Sequence, residues 1–422
     1  MKRKIAFSMI IPLIIVFSLG HRYPLPLASG TIGYCRDGKE IRLIKPDGSN
    51  DHQLFTHPDA NASLGINDMS WRPDGKELAF SSGHEAAYSL FHADIYLIKP
   101  DGSGFRRFTN SPSRTEFSKY PQGSVSITVR NNQYTFQQAQ SSAGVFFIYI
   151  AGAEHPEQIS CAPGQSRTVV FKKVADYGKK AQAIVATWGK YRWFMPGTDV
   201  QAGKMIKAPD LMISGDGIEY FGAYHPVWKN DGSALSYRTG VCTLNIIPYN
   251  APVGEYYYQP MFGGKAPFGS CSWDWGPTPS MANQVIYTES SGDHSSIYQL
   301  KEGGTHPGTW LTDYADIQYQ ILTDLHWLPD GSGLLYATVD LFRQKSNIFR
   351  YDIRSKKTTQ VTNFENEFAR AFSISPDGAW IVYERAKEFD DDKPADLWIQ
   401  TLDGKNARLL VRNGRYPSWG KE

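Results

Sequence analysis

Apolar residues in this chain come in short bursts, each cut off by turn-forming residues. Trp71-Arg72-Pro73-Asp74-Gly75 is followed by the apolar run Leu78-Ala79-Phe80. A second run, Asp94-Ile95-Tyr96-Leu97-Ile98, stops at Pro100-Asp101-Gly102 and leads to Phe105-Arg106-Arg107-Phe108-Thr109. Runs this short, rich in β-branched and aromatic residues, predict strands. The same order returns at Trp327-Leu328-Pro329-Asp330-Gly331, Leu335-Tyr336, Asn347-Ile348-Phe349-Arg350-Tyr351 and Val361-Thr362-Asn363. It returns again at Ser375-Pro376-Asp377-Gly378, Ile381-Val382-Tyr383, Asp396-Leu397-Trp398-Ile399 and Arg408-Leu409-Leu410. A repeat of about 45 residues with four strands per unit predicts the blades of a β-propeller.

The phase of the repeat predicts how the ring is built. Blade two spans 66–110, blade three 225–263, blade four 267–314, blade five 317–363 and blade six 364–412. Arg415-Tyr416-Pro417-Ser418-Trp419-Gly420 reads as the first strand of one further blade, and 31–34, 40–44 and 52–56 read as its other three. Pairing of the N- and C-terminal strands then closes six blades into a ring without an open edge. In each turn Pro fixes φ, Asp bonds the local backbone and Gly accepts positive φ. The Trp before the turn is expected to pack between blades.

The rhythm breaks once, between blades two and three. Residues 120–217 lack the turn pattern and carry short strands at 124–129, 145–150, 168–171, 183–186, 191–194 and 211–213. This predicts an inserted immunoglobulin-like β-sandwich. The fold class is therefore all-β. The domain plan is a signal peptide at 1–30, a first propeller part at 31–119 with blade one completed by 413–420, the insert at 120–217, and a second propeller part at 218–422. The interrupted connection lies on the face that carries the loops between second and third strands. The insert is expected beside or over that mouth of the central channel.

Composition adds a location. Lys2-Arg3-Lys4 followed by an apolar stretch to Leu19 reads as a secretory signal, with small residues at Ser18-Leu19-Gly20 and Ala28-Ser29-Gly30 for cleavage. No later stretch reads as membrane-spanning. The net charge of +2 includes four basic residues in that leader. Without them 40 basic residues face 42 acidic ones, too balanced for a nucleic-acid footprint. The expected location is periplasmic or secreted, as a monomer. Four Cys (35, 161, 242, 271) allow three full pairings. Cys242 and Cys271, on neighbouring blades, are the first candidate pair, and buried free thiols are the alternative.

The run Trp71 to Ser82, with Asp94-Ile95-Tyr96-Leu97 and Pro100-Asp101-Gly102-Ser103, resembles the repeat of the TolB-like β-propeller family. The resemblance covers residues 30–110 and 220–420 and implies an envelope or secreted propeller. In that family TolB carries an α/β domain before its propeller and works with the peptidoglycan-associated lipoprotein. The short stretch before residue 31 leaves no room for that domain. Similar repeats also precede the catalytic domain of prolyl-oligopeptidase-like enzymes, whose Gly-x-Ser-x-Gly elbow does not occur here.

Candidate chemistry is sparse. His84, Glu85 and His92 border the blade-two loop, and His294 beside Asp293 and His326 before Trp327 are further isolated histidines. None has metal-ligand spacing, so a solvated loop is the simpler reading for each. Glu388, Asp390, Asp391 and Asp392 form an acidic hairpin tip, with calcium as the alternative. Tyr88, Phe91 and Phe342 fit either a partner-binding face or packing against the insert. With Arg343 they complete a candidate loop face. Tyr256-Tyr257-Tyr258 reads as strand, and Asn61-Ala62-Ser63 is a glycosylation sequon.

No catalytic residue and no cofactor is expected from these patterns. The first functional expectation is a non-enzymatic interaction scaffold for an envelope or extracellular protein. A propeller that binds, or cleaves, cell-wall carbohydrate is the alternative.

Overall fold

The computed structural model describes residues 28–58, 65–86, 89–109, 117–133, 144–178, 182–219, 221–239, 243–251, 272–291, 294–304, 307–313, 320–340, 342–390 and 393–422. The predicted signal up to residue 27, the sequon at 61–63, Tyr256–Tyr258, Cys242 and Cys271 lie outside them. Within them the fold is all-β apart from short 3-10 turns, and eight sheets form.

Six of these sheets are the blades. Blade two, for example, runs Ile66–Trp71, Leu78–Ser82, Asp94–Ile98, Arg106–Arg107, each strand antiparallel to the next. Burial falls off outward because only the inner strands are sandwiched between neighbours. Gly333–Asp340, second in blade five, is buried along its whole length, whereas the outer Lys357–Gln360 is exposed throughout. The innermost strands touch in ring order: Gly414–Gly420, Ile66–Trp71, Tyr224–Trp228, Trp273–Trp275, Gln320–Trp327, Phe368–Ile374, and back to the first. Thr31–Arg36 pairs with Gly414–Gly420, so blade one joins both chain ends as the phase predicted.

The turns behave as their chemistry dictates. Gly75, Gly232, Gly331 and Gly378 have φ between +69 and +73. Each donates its N–H to the carbonyl three residues back, at 2.8 Å. Asp74, Asp231, Asp330 and Asp377 each accept from the backbone N–H two residues on, at 2.8–3.1 Å. The preceding tryptophans do pack between blades. Trp71 donates its indole N–H to the Ser418 carbonyl of blade one at 3.1 Å, and Trp228 donates to the Ser70 carbonyl of blade two at 3.2 Å.

The other two sheets are the insert. One has the order Glu157–Ser160, Val145–Ile150, Gln182–Trp188, Tyr191–Thr198, Ile218–Glu219. The other centres on Gln122–Asn131, antiparallel to Ser166–Ala175 and parallel to Met205–Lys207 and Leu211–Ile213. Every predicted strand is present. Those at 157–160, 205–207 and 218–219 are additional, short and mostly exposed, with too little apolar content to read beforehand. Val125, Ile127, Val129, Phe146, Ile148, Phe171, Ile184 and Trp193 fill the space between the sheets. This core is continuous with the interface of blades two and three through Leu90, Phe91, Ile95 and Trp228. The insert is therefore fused to the ring.

Candidate functional site

A cleft of about 1000 Å³ follows the centre of the ring and is lined by the innermost strands of all six blades. Counting back from the residue at or next to the end of each inner strand, a tryptophan in five blades and Ile374 in blade six, two positions of each strand line it. One position before lie Ser70, Val227, Asp274, His326, Ser373 and Ser418. Three before lie Asp68, His225, Ser272, Asp324, Ala371 and Tyr416.

The first tier ties blades together. Ser418 Oγ accepts the Trp71 amide at 3.1 Å, Ser373 Oγ accepts the Trp419 amide at 2.9 Å, and Asp274 Oδ2 accepts the Trp327 amide at 2.7 Å. In each case a side chain of one blade caps a backbone N–H of the next, which satisfies a donor that the sheet leaves over.

The second tier sits on bulges. Strand register shifts at Asn67/Met69, Tyr224/Val227, Leu322/Asp324 and Ala369/Phe372, and again around Tyr416. Asp68, His225 and Tyr416 have φ of +40, +53 and +50. Left-handed backbone at side-chain-bearing residues costs about 1–2 kcal/mol each, and such residues gather at functional sites. Here they turn three side chains of adjoining blades into the channel.

The charges are mostly paired. His326 Nε2 lies 3.2 Å from Asp324 Oδ1, and its Nδ1 lies 3.7 Å from Asp274 Oδ2. Burial works against the imidazolium, but the two carboxylates outweigh it and raise its pKa to about 10. Burial likewise opposes the Asp324 charge, which His326 and the Phe372 amide hold below the usual carboxylate range. Arg370 meets Glu384 at 3.0 Å, and Arg415 approaches the same carboxylate at 3.8 Å. His225 Nδ1 lies 3.8 Å from Asp68 Oδ2. Asp274 and Asp324 sit at opposite ends of the His326 ring, so the trio does not converge on one point. Among the described residues no group of three His, Cys, Asp or Glu is placed to hold a metal ion.

The loop-face residues separate. Phe91 and His92 are buried, which corrects the picture of an exposed loop. Phe91 packs edge-on to Phe221 at 5.3 Å, and the His92 amide donates to the Phe221 carbonyl. Arg192 of the insert donates to the carbonyls of Phe91 at 2.9 Å and Ala86 at 3.2 Å. His84 lies under Tyr96, ring centroids 4.3 Å apart, with Nδ1 2.9 Å from Ser82 Oγ. Burial, aided by His57 and Arg107, pushes His84 down to about 4; burial and Arg192 push His92 to about 4. Glu85 accepts from Tyr96 at 3.1 Å and faces Arg107 at 3.6 Å. Phe342 is 80% exposed, and Arg343 beside it is exposed near Asp340. The Asp390 carbonyl receives the Arg370 guanidinium at 2.5 Å, which already supplies a positive charge there. Tyr88, Asp391 and Asp392 lie outside the described residues. Cys35 and Cys161 are buried free thiols.

Sequence reasoning passed over the channel charges. A solvated-loop position for His326 is corrected by its place on the inner strand Gln320–Trp327, and Asp68, His225, Asp274, Asp324 and Arg370 were not singled out. The available signal was ionisable residues one and three positions before the turn tryptophan. Glu219, at the end of the insert sheet, also lines the cleft, so the insert borders its mouth as expected.

Strand order, ring closure and a charged central cleft define a six-bladed β-propeller with an inserted β-sandwich. No protein-family model matches the chain, and no curated protein matches it. Among solved structures it is similar to TolB from Acinetobacter baumannii, with TM-score 0.48 and 13% identity over 93% of this chain and 67% of that one. A TolB candidate from Agrobacterium tumefaciens gives TM-score 0.44 and 12% identity over 93% and 91%. A chain of a nidogen–laminin complex gives TM-score 0.44 and 8% identity over 93% and 98%. No helix among the described residues is long and apolar enough to cross a membrane.

Proposed function

We propose that this chain is an exported, non-enzymatic interaction scaffold that receives part of an envelope or extracellular protein at the insert-side mouth of its channel. The observation that carries this reading is the cleft of about 1000 Å³, walled by six blades and rimmed by the insert at Glu219. Its size suits a loop or chain end of a partner. The basic and apolar start, Lys2 to Leu19, supports export. The two carboxylates beside His326 keep it protonated near neutral pH, so it cannot act as a general base there.

Capture of proteins from an envelope extract by wild type and by Ala371→Trp tests this. Ala371 is small, partly exposed and lines the cleft, so tryptophan there narrows it. Loss of a specific partner with the variant is expected. Equal capture by both, or turnover by the pure protein, rejects the reading.

One observation favours the carbohydrate alternative. Trp188 and Tyr191 flank a hairpin turn with rings 5.7 Å apart and 13° from parallel, next to Glu219. Aromatic faces of this kind can bind sugars. A glycan array read with wild type and Trp188→Ala separates the two readings.

A further inference from the structure

Resting on the reading of the channel as a protein-docking site, we infer that Arg238 is the receptor for a carboxylate of the docked segment. Arg238 stands on the second strand of blade three, Ala234–Thr239, in register with Tyr224. It is partly buried and lines the cleft. The other described arginines of the cleft are engaged: Arg370 with Glu384 at 3.0 Å, and Arg72 with Asp74 at 3.4 Å. Among the described residues Arg238 makes no hydrogen bond and no ion pair. Its charge acts through space on the Asp68 carboxylate, which lies 3.8 Å from His225 Nδ1.

A partly buried guanidinium without a partner weakens a fold. Its placement is therefore not explained by stability. The ring beside it points the same way. His225 Nε2 is buried, and among the described residues it has no hydrogen-bond partner; the residue lines the same cleft. His225 also keeps a left-handed backbone, φ +53, that turns its side chain inward. A guanidinium fork with an open imidazole nitrogen next to it matches a carboxylate, which takes two parallel N–H bonds from arginine. Asp68 fixes the other imidazole nitrogen and repels acids that approach off the fork. The occupant is a glutamate or aspartate side chain, or a chain-terminal carboxylate, of the partner protein.

The test uses fluorescence anisotropy with the full chain. The probes are a labelled peptide of three glutamates between glycines, both ends blocked, its glutamine twin, a free-carboxyl version of the twin, and oligogalacturonate. Wild type is expected to bind the glutamate peptide or the free-carboxyl twin about ten-fold or more tighter than the blocked twin. Whichever carboxylate is preferred names its source. Arg238→Gln should abolish the preference, Arg238→Lys should keep part of it, and the exposed control Arg354→Gln, outside the cleft, should leave it unchanged. Removing an unpaired charge should not lower the melting temperature, so a folded Arg238→Gln protein is expected.

Three results overturn the inference: equal affinity for the acidic and blocked amide peptides, no binding by about 1 mM, or an unaltered preference in Arg238→Gln. Preference for oligogalacturonate over both acidic peptides overturns it in favour of a glycan ligand. Partner capture that Ala371→Trp abolishes and Arg238→Gln leaves intact removes the inference alone. Capture insensitive to Ala371→Trp removes the docking reading beneath it.

Discussion

His326 Nε2 lies 3.2 Å from Asp324 Oδ1 inside the central channel, while the other ring nitrogen faces Asp274 of the preceding blade. The histidine is thus a cation that bridges two blades. Its pKa of about 10 in the fold stands above the ordinary 6.5. A raised pKa gives stability that is complete below the unfolded value and is lost as pH climbs through the folded one. Urea midpoints should therefore fall for wild type from about pH 6.5 to 10. His326→Gln should lose about 3 kcal/mol or more at pH 7, because it leaves the carboxylates unpaired, and should show a flatter alkaline slope. Identical slopes would remove the bridge from the stability of the ring.

The seam between blades one and two offers a second test. Trp71 donates twice to Ser418, backbone to Oγ and indole to carbonyl, both at 3.1 Å. Trp71→Ala should cost about 3–5 kcal/mol through the cavity it leaves. Ser418→Ala should cost only about 1 kcal/mol. Denaturant unfolding gives both numbers, and a near-equal pair would deny the indole its role as inter-blade filler.

Acid should loosen the loop beneath the insert. His84 and His92 are held down to about 4 in the fold, against 6.5 unfolded. The unfolded chain binds their protons first, so stability falls as pH drops from about 6.5 towards 4. Unfolding curves at pH 7, 5.5 and 4.5 should show wild type weakening faster than a His84→Gln, His92→Gln double variant. Parallel losses would assign acid sensitivity to other groups.

Phe342, 80% exposed, is the most exposed large apolar side chain among the described residues. Phe342→Ser should leave the melting temperature within the range of surface changes, about 0.5 kcal/mol. Weaker partner capture is expected, since its hairpin joins the second and third strands of blade five on the insert-side face. Unchanged capture would take Phe342 out of the docking surface.

The scaffold was legible because its signals are local. Pro, Asp and Gly act within one turn, and the tryptophan before them needs only a neighbouring blade to cover it. The channel was less legible. Positions one and three before each turn share a face by ordinary alternation, but which face meets the central cleft is set by the ring, and the bulges at Asp68, beside His225 and at Thr323 carry no mark in the sequence. Phe91 stood between a partner face and packing for a different reason. Its sequence neighbours are those of a loop, and residues far downstream cover it, Phe221 against its ring and Arg192 of the insert on its carbonyl.

The pairing of Thr31–Arg36 with Gly414–Gly420 also sets an order in time. The first blade strand leaves the ribosome nearly four hundred residues before its partner. At ordinary elongation rates that gap is about 20 seconds or longer. Through that interval blade one has an open edge of unpaired backbone, and the ring can lock only once Gly414–Gly420 has been made. A protein made this way is vulnerable chiefly before that point, and this seven-residue strand acts as the clasp that ends the exposure.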